Sequence, residues 1–297
     1  MVMKTACIVD VGPRDGFQSV KEFIPTDIKL DVIGALVEAG VRKVQVTSFV
    51  SPKAVEQMRD AALVVERVLE RYACAEFFAL TPNLRGARAA AEVGLGEISV
   101  VVSLSESHNM ANVRQTVGQS VEGIAAIRQE LPDMGVIVDI ATVFGCPYEG
   151  RMEIAPLIDL IGKLSGLGID SFTLCDTVGM AYPSLVKAVF DAAKSAFPDN
   201  IFSAHIHDTR NMGIICSYTA LLNGAQSIQT SIAGLGGCPF APGASGNTAT
   251  EDFVYLLEKE GYCTGISFER LLETAKFLKS SVPSGCYSGH HLAIDSW

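Results

Sequence analysis

No stretch of this chain runs for the roughly 20 apolar residues that a membrane-spanning helix needs. Asp10, Arg14 and Asp15 also interrupt the region where an export signal would lie. Neither membrane insertion nor secretion is expected, and the reading is cytoplasmic. Positive charge is scarce: 23 Lys and Arg stand against 33 Asp and Glu, a net charge of −10. Such a field repels nucleic acid and anionic membranes, so neither is expected as a partner. Eight cysteines are present (Cys7, Cys74, Cys146, Cys175, Cys216, Cys238, Cys263, Cys286), but no CxxC pair or metal-knuckle spacing. They read as reduced thiols, most of them small buried apolar residues. Charged residues are only 19% of the chain against 48% hydrophobic, which excludes a disordered polymer.

What is there is an alternation. Short β-branched runs at Ala6–Val11, Lys43–Thr47, Cys74–Leu80, Glu97–Val102, Val136–Val143, Ser171–Cys175, Ile201–Ile206 and Ser227–Ser231 read as strands. Stretches with a helical apolar period follow them at Thr26–Ala39, Pro52–Arg71, Leu84–Glu92, Thr116–Glu130, Glu153–Gly166, Pro183–Ala196, Gly213–Asn223 and Thr248–Glu260. Eight such units predict a (β/α)8 TIM barrel, because an open dinucleotide-binding sheet would carry a glycine-rich phosphate turn that Gly12 and Gly16 do not supply. A further helix at Phe268–Lys279 falls outside the eightfold count and is expected over the barrel mouth or against a second subunit. The chain therefore reads as one domain over 1–297, with the barrel about 5–260 and a helical extension about 261–297.

Barrel enzymes place their chemistry at the C-terminal ends of the strands. The first strand ends in Gly12-Pro-Arg-Asp-Gly16, where Arg14 and Asp15 are either reactive groups or a local turn salt bridge. The seventh ends in His205-Ile-His207, and residues two apart on a strand face the same way, so both imidazoles can converge on one cation. Two His with a carboxylate can bind zinc. Completed by water and the amide of Asn247, the set suits Mg2+ or Mn2+ better. Asn247 closes a glycine-rich segment after the last strand, residues 234–247, which reads as a movable active-site loop and contains Cys238.

Taken together these segments resemble the 3-hydroxy-3-methylglutaryl-CoA lyase family of metal-dependent TIM barrels, in a bacterial-type branch. Its carriers are residues 11–16, Thr47-Ser-Phe-Val-Ser-Pro-Lys53, Thr81-Pro-Asn83, Gly145-Cys-Pro-Tyr-Glu-Gly150, Asp176-Thr-Val-Gly179, His205-x-His-Asp-Thr209 and the loop running through Ala249-Thr-Glu-Asp252. The resemblance implies a carbon–carbon lyase. Its reaction would be retro-Claisen cleavage between C2 and C3 of 3-hydroxy-3-methylglutaryl-CoA, giving acetyl-CoA and acetoacetate. It implies that Asp15, His205, His207 and Asn247 hold the cation, that Arg14 stabilises the enolate oxygen, and that Cys238 protonates the carbanion. Asp176 or His205 would relay the hydroxyl proton, although Asp176 could equally serve as a helix cap or hydrogen-bond acceptor. Ser48, Asn112, Tyr148 and Gln45 are the substrate-binding candidates, and a homodimer is the expected assembly.

Two departures stand out. Gln45 occupies a position where the family usually has glutamate, which removes a negative charge near the metal. Arg210-Asn211 follows the His-x-His-Asp-Thr run where a small glycine is common. They keep open citramalyl-CoA or another 3-hydroxyacyl-CoA as substrate, and a non-catalytic acyl-CoA-binding homologue as the alternative of another class. Glu251 and Asp252 read as helix-dipole compensation, and His290 and His291 as tail residues without a ligand role.

Overall fold

The structure is a computed structural model that describes residues 4–237 and 246–293. Eight parallel strands form a closed barrel in chain order: β1 (Cys7–Asp10), β2 (Lys43–Ser48), β3 (Glu76–Leu80), β4 (Glu97–Ser103), β5 (Gly135–Ala141), β6 (Ser171–Asp176), β7 (Ile201–Ile206) and β8 (Ser227–Thr230). Closure is made by β8 on β1, in a register that runs from Cys7 opposite Ser227 to Asp10 opposite Thr230. Each strand is short because it is only as long as the barrel wall. The predicted strands agree with these to within a few residues at their ends.

Helices α1 (Thr26–Ala39), α2 (Ala61–Arg71), α3 (Leu84–Glu92), α4 (Glu106–Val113), α5 (Val117–Glu130), α6 (Ile154–Ser165), α7 (Pro183–Ala196), α8 (Gly213–Leu222), α9 (Thr250–Lys259) and α10 (Phe268–Ser281) surround it. Local chemistry sets several ends. Thr116 and Gln119 form a reciprocal capping box at the start of α5, Asn83 caps α3, and α1 stops where Gly40 turns to φ 110°.

Most apolar strand residues point outward and join the helices in one continuous core, while a smaller cluster of Val9, Val11, Phe78 and Ile137 is separate from it. On β5, Ile137 belongs to that inner plug, and Asp139 and Ala141, two and four residues on, line the cavity at the mouth. A register shift between Gln45 and Thr47 interrupts the same alternation on β2. Thr47 turns its hydroxyl to the Met58 sulfur, 3.5 Å away, and Ser48 is the residue delivered to the cavity.

Two expectations are corrected and one is extended. The helix expected over Pro52–Arg71 begins only at Ala61, after a 3-10 turn at Glu56–Met58. Gln57 holds that turn by donating to the carbonyls of Val20 and Glu22 and accepting from the Ile24 amide, and Lys29 pairs with Asp60 at 2.6 Å. The last helix, α10, lies on the barrel flank against α1 and not over the mouth, with the Ser267 amide on the Ala39 carbonyl at 2.7 Å. Glu251 and Asp252 stand in the first turn of α9 as expected, and they also form a clasp with the C-terminal segment: Glu251 accepts from the Ala233 amide, and the buried Asp252 takes the backbone and side-chain N–H groups of buried His291 and exposed His290. Among the described residues no helix is long and apolar enough to cross a membrane.

Candidate metal centre and active-site cavity

The chain leaves β1 through a single π-helical turn, Gly12–Gly16, that buries Arg14 and Asp15 side by side. Glycine is required at its start: a Cβ on Gly12 would stand 2.9 Å from the Asp10 carboxylate, the group that accepts the Gly12 amide at 2.8 Å. Across the mouth, β7 presents His205, and His207 follows it one inward position on, paired in backbone register with Asn247. Asp15, His205 and His207 are all buried, and their ligating atoms lie within 4.8 Å of one another. The two Nε2 atoms are 3.0 Å apart, and Asp15 Oδ2 lies 4.0 Å from that of His205 and 3.7 Å from that of His207.

The protonation states suit a cation. Burial and the neighbouring His207 push His205 down to about 3, so the imidazole is neutral at ordinary pH. Gln229 Oε1 faces His205 Nδ1 at 3.1 Å, and a carbonyl oxygen accepts only if Nδ1 carries the hydrogen, leaving the Nε2 lone pair toward the mouth. Burial alone would raise the Asp15 carboxyl, but Arg14, the hydrogen bond from His207 and the two imidazoles hold it well below the usual carboxylate range. Asn247 donates to Asp15 Oδ2 at 2.8 Å and to the Leu235 carbonyl at 3.3 Å. Its own Oδ1, buried, has no partner among the described residues, as expected of an oxygen kept for a metal. Three nitrogen and oxygen donors with an amide oxygen beside them fit a divalent cation.

Arg14 is fixed by two acceptors: Nη1 reaches Asp15 Oδ1 at 2.5 Å and Nε donates to Gln45 Oε1. Gln45 in turn donates to Ser99 Oγ at 2.9 Å. The amide thus does what a carboxylate would do toward Arg14 without adding charge. A cavity of about 340 Å3 opens above these groups, lined by Arg14, Asp15, His205 and His207 on one side and by Val50, Val55, Leu80 and Val113 on another. Ser48 and Asn112 also line it, and the buried Ser48 hydroxyl has no partner among the described residues.

Other candidates sit elsewhere. Asp176 receives the amides of Met180 and Ala181 at 2.8 and 2.9 Å on its two oxygens and is not among the cavity-lining residues, so it organises the loop after β6. Tyr148 is 54% exposed and outside the lining. Gln45 acts from behind Arg14. Cys238 lies outside the described residues; Gly237 before it lines the cavity. Arg210 donates to the Val178 and Gly179 carbonyls at 2.8 Å, and Asn211 takes a left-handed φ of 57°, which accounts for that departure as loop bracing. Gln229, Asp139 and Cys175 were missed. Each is a strand residue that points inward, and position on β8, β5 or β6 was the only signal available.

Comparison with known proteins agrees with this architecture. The HMGL-like family model matches residues 5–278. Hydroxymethylglutaryl-CoA lyase YngG of Bacillus subtilis is 38% identical over 281 residues, covering 94% of each chain. Among solved structures, the Bacillus subtilis HMG-CoA lyase superposes with a TM-score of 0.94 at 36% identity over 100% of both chains. An HMG-CoA lyase from Acinetobacter baumannii, in complex with coenzyme A and 3-methylmalate, gives 0.91 at 36% identity over 97% of this chain and 94% of that one.

Proposed function

The chain belongs to the HMGL-like family and is a carbon–carbon lyase, and from that premise we propose that it cleaves 3-hydroxy-3-methylglutaryl-CoA to acetyl-CoA and acetoacetate. The observation that carries this reading is the apposition of Asp15, His205 and His207 beside an immobilised guanidinium in one cavity. Asp15, His205, His207 and Asn247 would hold the cation, Mg2+ or Mn2+ before Zn2+. When bound it supplies Lewis acidity to a substrate oxygen and lowers the energy of the alkoxide.

The remaining work belongs to the chain. Arg14 faces the developing thioester enolate with a charge that is present throughout the reaction, because guanidinium does not deprotonate near neutral pH. Gln45 and Asp15 prevent it from turning away. Ser48 and Asn112 orient the acyl part, and the apolar wall of Val50, Val55, Leu80 and Val113 excludes water that would protonate the enolate out of turn. Cys238 is assigned the C2 protonation, from a segment that begins at the cavity edge. The whole chain acts as one domain, in the cytoplasm and as a homodimer.

The test is acetyl-CoA release by the purified protein from 3-hydroxy-3-methylglutaryl-CoA, with Mg2+ or Mn2+ added and with metal removed by EDTA. Metal-dependent cleavage is expected, and absence of cleavage across a panel of 3-hydroxyacyl-CoA esters would end the lyase reading. Citramalyl-CoA belongs in the panel, since a similar enzyme is known in complex with coenzyme A and 3-methylmalate, a methyl-branched hydroxy diacid. Cys238→Ser is expected to lower kcat sharply with Mn2+ affinity retained; unchanged kcat would remove the thiol from the mechanism.

A further inference from the structure

One inward-facing layer below the metal candidates lies a second acidic group. Asp139 stands in mid-strand on β5, where it pairs with Thr173 of β6, and Thr173 pairs with Ser203, two residues before His205. It is 5% exposed, it lines the cavity together with Arg14, Asp15, Cys175 and His205, and its Oδ1 has no hydrogen-bond partner among the described residues. A buried carboxyl oxygen without a partner, on a residue that lines a cavity, is costly, and such atoms call for an explanation.

Its neighbours say which kind of partner is missing. Ser99 Oγ accepts from the Gln45 amide at 2.9 Å, and Thr173 Oγ1 accepts from the Gln229 amide at 3.1 Å. Each hydroxyl is left with its hydrogen to donate, and both act on Asp139 as hydrogen-bonding neighbours. Gln45 takes Arg14 Nε, and Gln229 takes His205 Nδ1. Two chains of donors, one from Arg14 and one from His205, therefore end on the same carboxylate. A network with that polarity completes itself by one more donor at Oδ1.

This inference rests on the lyase reading above. A 3-hydroxyacyl thioester offers a thioester carbonyl, an alkyl branch, a terminal carboxylate and a C3 hydroxyl, and only the hydroxyl donates. We propose that Asp139 is a catalytic residue: its Oδ1 accepts the hydrogen bond of the substrate's C3 hydroxyl and takes its proton as the C2–C3 bond breaks. The O–H electron pair becomes the second bond of the new ketone. The C2–C3 pair moves to C2 as the thioester enolate, whose oxygen faces Arg14. A separate acid then delivers a proton to C2, and the proton on Asp139 returns to solvent when the products leave.

The electrostatic setting suits an acceptor. Burial raises the proton affinity of Asp139, and Asp15 adds to that, while the Thr173 and Ser99 hydroxyls and Arg14 work against it; the Cys175 thiol on β6 stays protonated. A carboxylate so placed is a stronger base than one in water.

The experiment uses the full-length protein, first shown to cleave 3-hydroxy-3-methylglutaryl-CoA or another panel member. Asp139→Asn is expected to lower kcat by about 100- to 10,000-fold. Asp139→Ala is expected to recover turnover in proportion to added formate, which brings an external carboxylate to the emptied volume. Both variants should bind Mn2+ as the parent does, by titration calorimetry. An Asp139→Asn enzyme within about tenfold of parental kcat overturns the proposal. Failure of formate to revive Asp139→Ala, or loss of Mn2+ binding in both variants, does so too, since each makes the residue structural. If the parent cleaves nothing in the panel, the lyase reading itself has failed.

Discussion

Two clusters in this chain are each built from one buried aspartate and two histidines, and they differ in what they leave over. At the clasp, Asp252 Oδ1 takes the amide and ring of His291, and Oδ2 takes the amide of His290 at 2.7 Å and its ring at 3.2 Å. Both carboxylate oxygens are filled. At the mouth, Asp15 receives Arg14, Gln18, Asn247 and His207, the two imidazole Nε2 atoms face one another at 3.0 Å, and the Asn247 oxygen is left without a partner among the described residues. Composition does not separate a brace from a ligand site; the kind of group left over does, a single Glu251 Oε1 beside the clasp against an amide oxygen beside two imidazoles at the mouth.

Substitutions can break or sharpen this contrast. The largest effect is expected from His207→Ala, which should reduce both Mn2+ affinity and kcat by more than about 100-fold, beyond the 10- to 100-fold of residues that only orient a ligand. Its melting temperature should change little. Gln229→Leu comes next: it removes the acceptor that orders His205 and should weaken Mn2+ binding by about 10- to 100-fold, measured by calorimetry. Asp252→Asn should do the reverse. It should lower stability in urea by about 1–3 kcal/mol, through unsatisfied groups in the clasp, with Mn2+ affinity unaltered. An Asp252→Asn protein that lost metal to the extent expected of His207→Ala would erase the distinction between the two clusters.

A smaller effect belongs to pH. Burial and the adjacent Asp252 raise Glu251 to about 8, and burial raises Asp10 to about 7. Folded-state values above the unfolded ones mean that the native chain binds more protons. The stability they contribute is full below the unfolded values near 4 and is lost as pH rises through about 7 to 8. Melting temperature should therefore fall between pH 5 and pH 9, and Glu251→Gln should flatten the upper part of that slope. An unchanged slope would place the proton elsewhere.

Much of the barrel was legible because its signals are local. α1, α3 and α7 begin and end where apolar period, capping residue and Gly or Pro placement set them. The metal candidates were legible because a strand puts His205 and His207 on one side. What escaped depends on partners distant in sequence. The start of α2 is decided by Gln57 reaching back to residues 20–24, and α4 is a polar octet held by Asn109 on the Ser103 amide at 2.9 Å. Asp139 and Gln229 are polar residues inside apolar strands, and their meaning lies in Thr173, 34 and 56 residues away in sequence. The register shift on β2 likewise decides that Ser48 lines the cavity and Thr47 does not.

The Asn247 carbonyl and the Gly234 carbonyl share one donor, the Ser288 hydroxyl, at 3.1 and 3.2 Å. Asp15 comes from the turn after the first strand, whereas Asn247 and the serine that steadies its backbone follow the last one. The mouth is therefore a seam between the two ends of the described fold, and its geometry is complete only when the segment after the last helix has docked back onto the barrel.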